Sequence, residues 1–195
     1  MPVASARRAG PADIAALSSA IARAFYDDPV LSWTFPDDQR RLAQAEAFFS
    51  LRLRGMVPDG EVYTVEDRSA GALWAPPDRW KVGFLDSLRL VRLLPWHGLG
   101  RTIRGFTAIE AAHPKTPPHY YLAVLGTEPA AQGRGLGSAL LAPVLADCDE
   151  LGIGAYLESS KETNIAFYAR HGFRVTGEVD LPDGPRVWLM WRDPV

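Results

Sequence analysis

The sequence predicts an α/β (α+β) fold in which short strands and helices alternate along one domain, residues 1–195. Three observations carry that prediction. Hydrophobic residues make up 47% of the 195 residues, enough for a sizeable core and too many for a disordered chain. Apolar residues recur at helical spacing in several segments, as at Ile14, Leu17, Ile21 and Phe25. Between those segments lie short β-rich runs bounded by Gly, Pro and Asp.

In chain order, Val3 to Arg8 predicts a short first strand. Pro11 and Asp13 then open a helix, since proline suits a first turn and an acid suits its positive end. Asp27-Asp28-Pro29 predicts its stop. Val30 to Phe35 is a short aromatic segment, and Pro36-Asp37-Asp38 opens a second helix with Leu42, Ala45, Phe48 and Phe49 inward. Glu61–Glu66 and Ala70–Ala75 predict two strands around a hairpin-like turn. A helical elaboration follows over about 78–113, interrupted near Pro95. Pro114 to Pro118 is a rigid linker. Tyr120–Thr127 predicts a buried strand, Gly135–Leu151 a helix and Ile153–Leu157 a short strand. Asn164–Arg170 predicts a short helix closed by Gly172 in left-handed geometry. Phe173–Val179 and Arg186–Trp191 form a last strand pair.

Composition excludes several classes. With 21 Lys plus Arg against 23 Asp plus Glu, nothing predicts a nucleic-acid partner. Cys148 stands alone, so no internal disulfide and no zinc spacing exists, which fits a reducing cytoplasm; no metal is expected. No apolar run reaches the ~18 residues of a membrane span.

The chemistry is concentrated in Gln132-Gly133-Arg134-Gly135-Leu136-Gly137-Ser138, between a strand and a helix. Alternate glycines let backbone approach a ligand closely, and a helix N-terminus presents free N–H groups and a positive dipole end. Together they suit a diphosphate, with Arg134 adding charge. A P-loop would need Gly-Lys-Ser/Thr here. A dinucleotide fingerprint would need Gly or Ala in place of Ser138, although Glu158 does fall near its acidic position, roughly twenty residues on. A nucleotide-binding protein with a divergent loop therefore stays open at this point.

The second informative stretch is Leu157-Glu158, Asn164, Phe167-Tyr168 and His171-Gly172-Phe173. Taken with the glycine loop, in this order and spacing, it resembles the GNAT superfamily of N-acetyltransferases. Pro36-Asp37 and Glu128-Pro129 also look like that family. Within it, Leu122–Gly137, Leu157–Phe173 and Leu181–Met190 are similar to the branch that acetylates puromycin. Asp28 stands where that branch has a tyrosine.

The resemblance implies a GNAT-type mixed, mostly antiparallel central sheet flanked by helices, with one splayed parallel strand pair. It implies acetyl-CoA as co-substrate and a primary amine as acceptor, that of a puromycin-like drug, another antibiotic or a metabolite. The pantetheine arm would pair with backbone at Leu125 and Thr127, with Gly126 permitting a bulge. Gln132, Gly133, Arg134, Gly135, Leu136, Gly137 and Ser138 would hold the diphosphate, and Asn164 the arm. Tyr168 would protonate the leaving thiolate, and Glu158 is the first candidate for the base. Tyr26, Asp28, Trp33 and Trp80 are candidates for the acceptor pocket. A homodimer is left open. Two other readings remain at this point: a non-catalytic acyl-CoA sensor, and a transferase acting on protein or peptide amines.

Overall fold

The structure, a computed structural model, describes residues 5–195. Its centre is a seven-stranded sheet ordered β1-β2-β3-β4-β5-β7-β6. The strands are β1 (Arg7–Arg8), β2 (Val62–Thr64), β3 (Ala70–Ala75), β4 (His119–Thr127), β5 (Gly154–Ser159), β6 (Arg174–Asp180) and β7 (Arg186–Arg192). Every neighbouring pair is antiparallel except β4 and β5, which run parallel. The sheet type that the resemblance implies is the one observed. Of the expected first strand, only Arg7–Arg8 is seen as strand; residues 1–4 lie outside the described residues.

Helices cover both faces. One face carries α1 (Ile14–Ala24), α2 (Pro29–Thr34) and α3 (Asp38–Met56). Their apolar sides bury Leu17, Ile21, Phe35, Phe49 and Leu53 against Leu73 and Val124 of the sheet. The other face carries α6 (Leu136–Leu151), whose Leu140, Leu141 and Val144 pack on Ala72, Trp74 and Leu122. Between β3 and β4 come α4 (Phe84–Leu93) and α5 (Leu99–Ala112), separated at Pro95 as the sequence predicts. The short α7 (Ile165–Ala169) precedes β6, and Gly172 closes it at φ +84°.

The segment after Asp28 departs from expectation. Asp27-Asp28-Pro29 does end α1, but it also starts α2. The Asp28 carboxylate accepts from the N–H groups of Val30 (2.9 Å) and Leu31 (3.0 Å), and Pro29 occupies the first helical position.

A second departure is the bulge. Gly126 pairs in register with Gly71, whereas Leu73↔Val124 is followed directly by Trp74↔Leu122, so the extra residue in β4 is Ala123. The bulge resets the alternation of side chains. Tyr121 and Ala123 face the α1–α3 side, and so does Val124, while Leu122 and Leu125 pack on the α6 side. Gly126 has a different role, close packing: a Cβ there would sit 3.2 Å from the Phe25 ring and 3.4 Å from Ala24 of α1.

Asp13 ties the N-terminal elements together. Its buried carboxylate accepts from Arg7 (2.8 and 2.9 Å), from the Gly10 N–H (2.9 Å) and from Arg68 (2.8 Å). The Arg7 contact chiefly, then those of Gly10 and Arg68, hold its pKa well below the usual carboxylate range. A depressed pKa contributes stability above the unfolded value, about 4, and that contribution is lost as pH falls through the folded value. Asp13→Asn should therefore destabilise the chain at pH 7 by about 1–3 kcal/mol, since charged hydrogen bonds are lost. The gap to wild type should narrow steadily below about pH 4 in thermal melts followed by circular dichroism. A gap that stays constant with pH would contradict this.

Candidate active site

The glycine loop is built as an anion cradle. Gly133 and Gly135 adopt φ +74° and +77°, and a Cβ at either would meet nothing within 4 Å, so both face open space. Among the described residues, none accepts from the backbone N–H groups of Gly133 through Ser138. The first intrahelical bond of α6 runs only from Ala139 N–H to Gly135 O (3.1 Å). A helix of 16 residues thus points its free amides and dipole at that space. The loop is pinned from outside. Glu128 accepts two bonds from Arg23 of α1 (2.5 and 2.7 Å), and its N–H donates to Ser69 O (2.8 Å).

Beside the loop the sheet opens. β4 and β5 pair only from His119↔Gly154 to Leu122↔Leu157. From the Ala123 bulge onward β4 leaves β5, and β5 continues to Ser159 paired with β7 alone. The β4 edge from Ala123 to Thr127 therefore borders a slit, with backbone polar groups on the side that β5 has left.

On the α1–α3 side of this slit lies a cavity of about 550 Å³. Its walls are mostly apolar, with Phe25, Leu31, Phe48, Leu90, Leu94 and Val124 among them. Polar groups converge at its sheet wall: Asp28, Arg52, His113, Tyr121, Glu158 and Ser160. Apolar walls with a few convergent polar groups are the usual form of a small-molecule site.

Glu158 is the centre of that polar wall. Its side chain is nearly buried, and its Oε1 lies 3.4 Å from His113 Nδ1 without a hydrogen bond to any described residue. The Tyr156 hydroxyl is also buried and unbonded. Burial first, and the Glu158 carboxylate second, hold the Tyr121 and Tyr156 phenols well above their ordinary pKa, so both keep their protons. Behind Glu158 runs a chain of nitrogens. His113 Nε2 and His119 Nε2 are 3.1 Å apart, and His119 Nδ1 is 2.8 Å from Pro117 O. A carbonyl only accepts, so His119 Nδ1 carries hydrogen. Burial depresses the His119 pKa, leaving it neutral with Nε2 as acceptor. His113 Nε2 is then the donor. Trp80 stacks on the His113 ring at 3.8 Å and 19°, which fixes its plane.

Comparison with known proteins agrees with this geometry. A family model described as the acetyltransferase (GNAT) family matches residues 60–173, more than half of the chain and spanning β2 to the end of α7. The chain belongs to the GNAT family. It is 28% identical over 187 residues to an uncharacterized N-acetyltransferase of Schizosaccharomyces pombe, covering 87% of this chain and 74% of that one. A crystal structure described as histone acetyltransferase HPA2 and related acetyltransferase, from Corynebacterium glutamicum, superposes with TM-score 0.75 at 25% identity, covering 99% and 97% of the two chains. The polyamine N-acetyltransferase of Drosophila melanogaster, described as forming N-acetylagmatine, shares the fold with TM-score 0.67 at 16% identity, covering 96% and 98%.

The GNAT fold distributes the residues singled out from sequence unevenly. Leu125, Gly126 and Thr127 lie on the β4 edge at the slit. Gln132 reaches back to Thr127 O (3.1 Å), Arg134 donates to Ala130 O (3.0 Å), and Ser138 Oγ meets His171 Nε2 (3.0 Å). Asn164 is exposed, and its side chain makes no cap bond to α7. Tyr168 is buried on the α6 side, and both burial and the Asp28 carboxylate raise its pKa, so the phenol stays protonated.

The four acceptor-pocket candidates divide. Asp28 and Trp80 line the cavity. Trp33 and Tyr26 do not. Trp33 is buried with Leu181 and Val187, and its Nε1 donates to Pro182 O (3.1 Å), so it anchors the β6–β7 turn. Tyr26 lies under Arg41 at 5.3 Å, with its hydroxyl toward Asp38 O. Phe84 and Trp96, two aromatics of the helical elaboration, are exposed. Arg52, His113 and Tyr121 line the cavity without having been singled out as ligands. They carry no local motif, and only the chain path brings α3, α5 and β4 together.

Proposed function

We propose that the chain transfers an acetyl group from acetyl-CoA to the primary amine of a small molecule. The observation that carries this reading is continuity. The free amides at 133–138 adjoin the open β4 edge, and Glu158 lies on β5 just beyond its last pair with β4, at the wall of the cavity.

The residues present fit coenzyme A: glycines without Cβ where a diphosphate needs room, and a helix N-terminus aimed at it. When bound, acetyl-CoA supplies the activated thioester. Gly133 to Ser138 would hold its diphosphate through N–H groups, with Gln132 and Arg134 at the rim. The β4 edge at Leu125, Gly126 and Thr127 would align the arm as an extra strand, and Asn164 would add a side-chain hydrogen bond. A β4 N–H aimed at the thioester oxygen would stabilise charge developing there. Glu158, with His113 behind it, would take the proton from the attacking amine. Tyr168 would give its proton to the departing sulfur. No covalent intermediate on the protein is needed, since alignment supplies much of the rate.

Among acceptors we infer a drug-like or metabolite amine that fills the apolar walls. Puromycin is one member of that class. Asp28, standing where the puromycin branch has a phenol, is committed as the cap of α2 and accepts the Ser160 hydroxyl.

Thiol release measured over a panel of drug-like, metabolite and peptide amines tests the reading. Acetyl-dependent CoA release above hydrolysis with small amines is the expected result. Release with none would leave an acyl-CoA sensor, and release with peptides alone would move the acceptor to protein. Tyr168→Phe should lower kcat by roughly 100-fold, the scale of one general acid, and leave the coenzyme A affinity within about threefold. Equal loss in both would reassign Tyr168 to binding.

A further inference from the structure

Arg52 of α3 lines the cavity and is half-buried, yet makes no hydrogen bond and no ion pair with any described residue. Burial works against its charge. Two of the acids around it, Asp28 and Asp86, have partners of their own. Asp28 is bonded by two backbone N–H groups and Ser160. Glu158 Oε1 faces His113 Nδ1 at 3.4 Å. Asp86, across the α3–α4 contact, pairs with Arg89 at 2.8 Å. The Arg52 guanidinium itself is left with no acceptor among the described residues, and half-burial in that state is costly.

Resting on the amine-transfer reading above, we propose that the acceptor carries a carboxylate besides its amine, and that Arg52 binds that carboxylate. A guanidinium presents a planar fork of donors that matches a carboxylate in two parallel bonds. The apolar walls take the body between, and Glu158 faces the amine. By the same charge, a second ammonium placed at Arg52 is repelled, so diamines are poor acceptors here, unlike for the fold relative that forms N-acetylagmatine.

Three acceptors of nearly equal shape test this: benzylamine, (aminomethyl)benzoate and (aminomethyl)benzylamine, the last two as meta and para isomers. Wild-type kcat/KM should favour one benzoate isomer over benzylamine by roughly 10- to 100-fold, the worth of a charge-assisted pair, and should be lowest for the diamines. The gain should lie in KM. In Arg52→Met the benzoate-to-benzylamine ratio should fall to about one, and in Arg52→Lys to an intermediate value, because the point charge remains without the fork. Thermal melts check that both variants fold, and calorimetric titration with the preferred benzoate should show weaker binding in Arg52→Met. Wild type that treats both benzoates no better than benzylamine overturns the proposal, as does a ratio unchanged in both variants. Absence of CoA release with every amine, alongside benzoate binding that still depends on Arg52, overturns the transfer reading and upholds the carboxylate site.

Discussion

Gly135→Asp should abolish coenzyme A binding, with affinity falling by roughly 100-fold or more in calorimetric titration, since a desolvated charge is set against a diphosphate. Two effects combine. The new side chain would project into the open space that the left-handed Gly135 faces, and its carboxylate would oppose the dipole of α6. Backbone strain is the smaller part and can be measured separately. Gly152 lies at the other end of the same helix, is also left-handed at φ +66°, and a Cβ there would likewise meet nothing within 4 Å. Gly152→Asp should therefore lose similar stability in thermal melts and keep its affinity. If both variants bind coenzyme A as wild type does, the loop is a turn and the diphosphate belongs elsewhere.

Glu158→Gln should lower kcat by roughly 100- to 1000-fold, the scale of general base catalysis, with the coenzyme A affinity unchanged. Glutamine has the shape of glutamate, and its amide can donate to His113 Nδ1, so the Trp80–His113 stack should persist. What it cannot do is take a proton from the amine. His113→Asn should cost less, because it removes the group behind the base and leaves the carboxylate in place. Steady-state kinetics at saturating acetyl-CoA decide the matter. A Glu158→Gln enzyme within about threefold of wild-type kcat would mean that the amine enters already neutral and needs no base.

Most of the fold is legible in the sequence because its signals are local. The periodicity of Leu136, Leu140, Leu141 and Val144 marks the buried side of α6, and Pro95 parts α4 from α5 as expected. The misreadings share a cause. Asp-Asp-Pro is both a stop and a start, and only the path of the chain shows that Asp28 caps α2. A glycine in a strand suggests a bulge, yet Gly126 answers to the close approach of Phe25, while the bulge falls at Ala123, which has no distinguishing chemistry. The glycine loop is contiguous and could be read directly. The cavity is assembled from α2, α3, α4, α5, β4 and β5, so Arg52, His113 and Tyr121 acquire their meaning only through tertiary contact. Trp33 looks like a ligand platform in sequence and is instead consumed by packing against the β6–β7 turn.

The parallel pairing of β4 with β5 covers four residue pairs, and these alone join β1–β4 to β5–β7 within the sheet. Beyond those pairs the two halves are joined by side chains, as Trp33 to Pro182 and Ser160 to Asp28. Any molecule lodged across the gap acts as mortar, so resistance to unfolding rises with its free concentration as RT ln(1 + [L]/Kd). Melting temperature thereby becomes a direct gauge of occupancy, readable without knowing what the enzyme modifies.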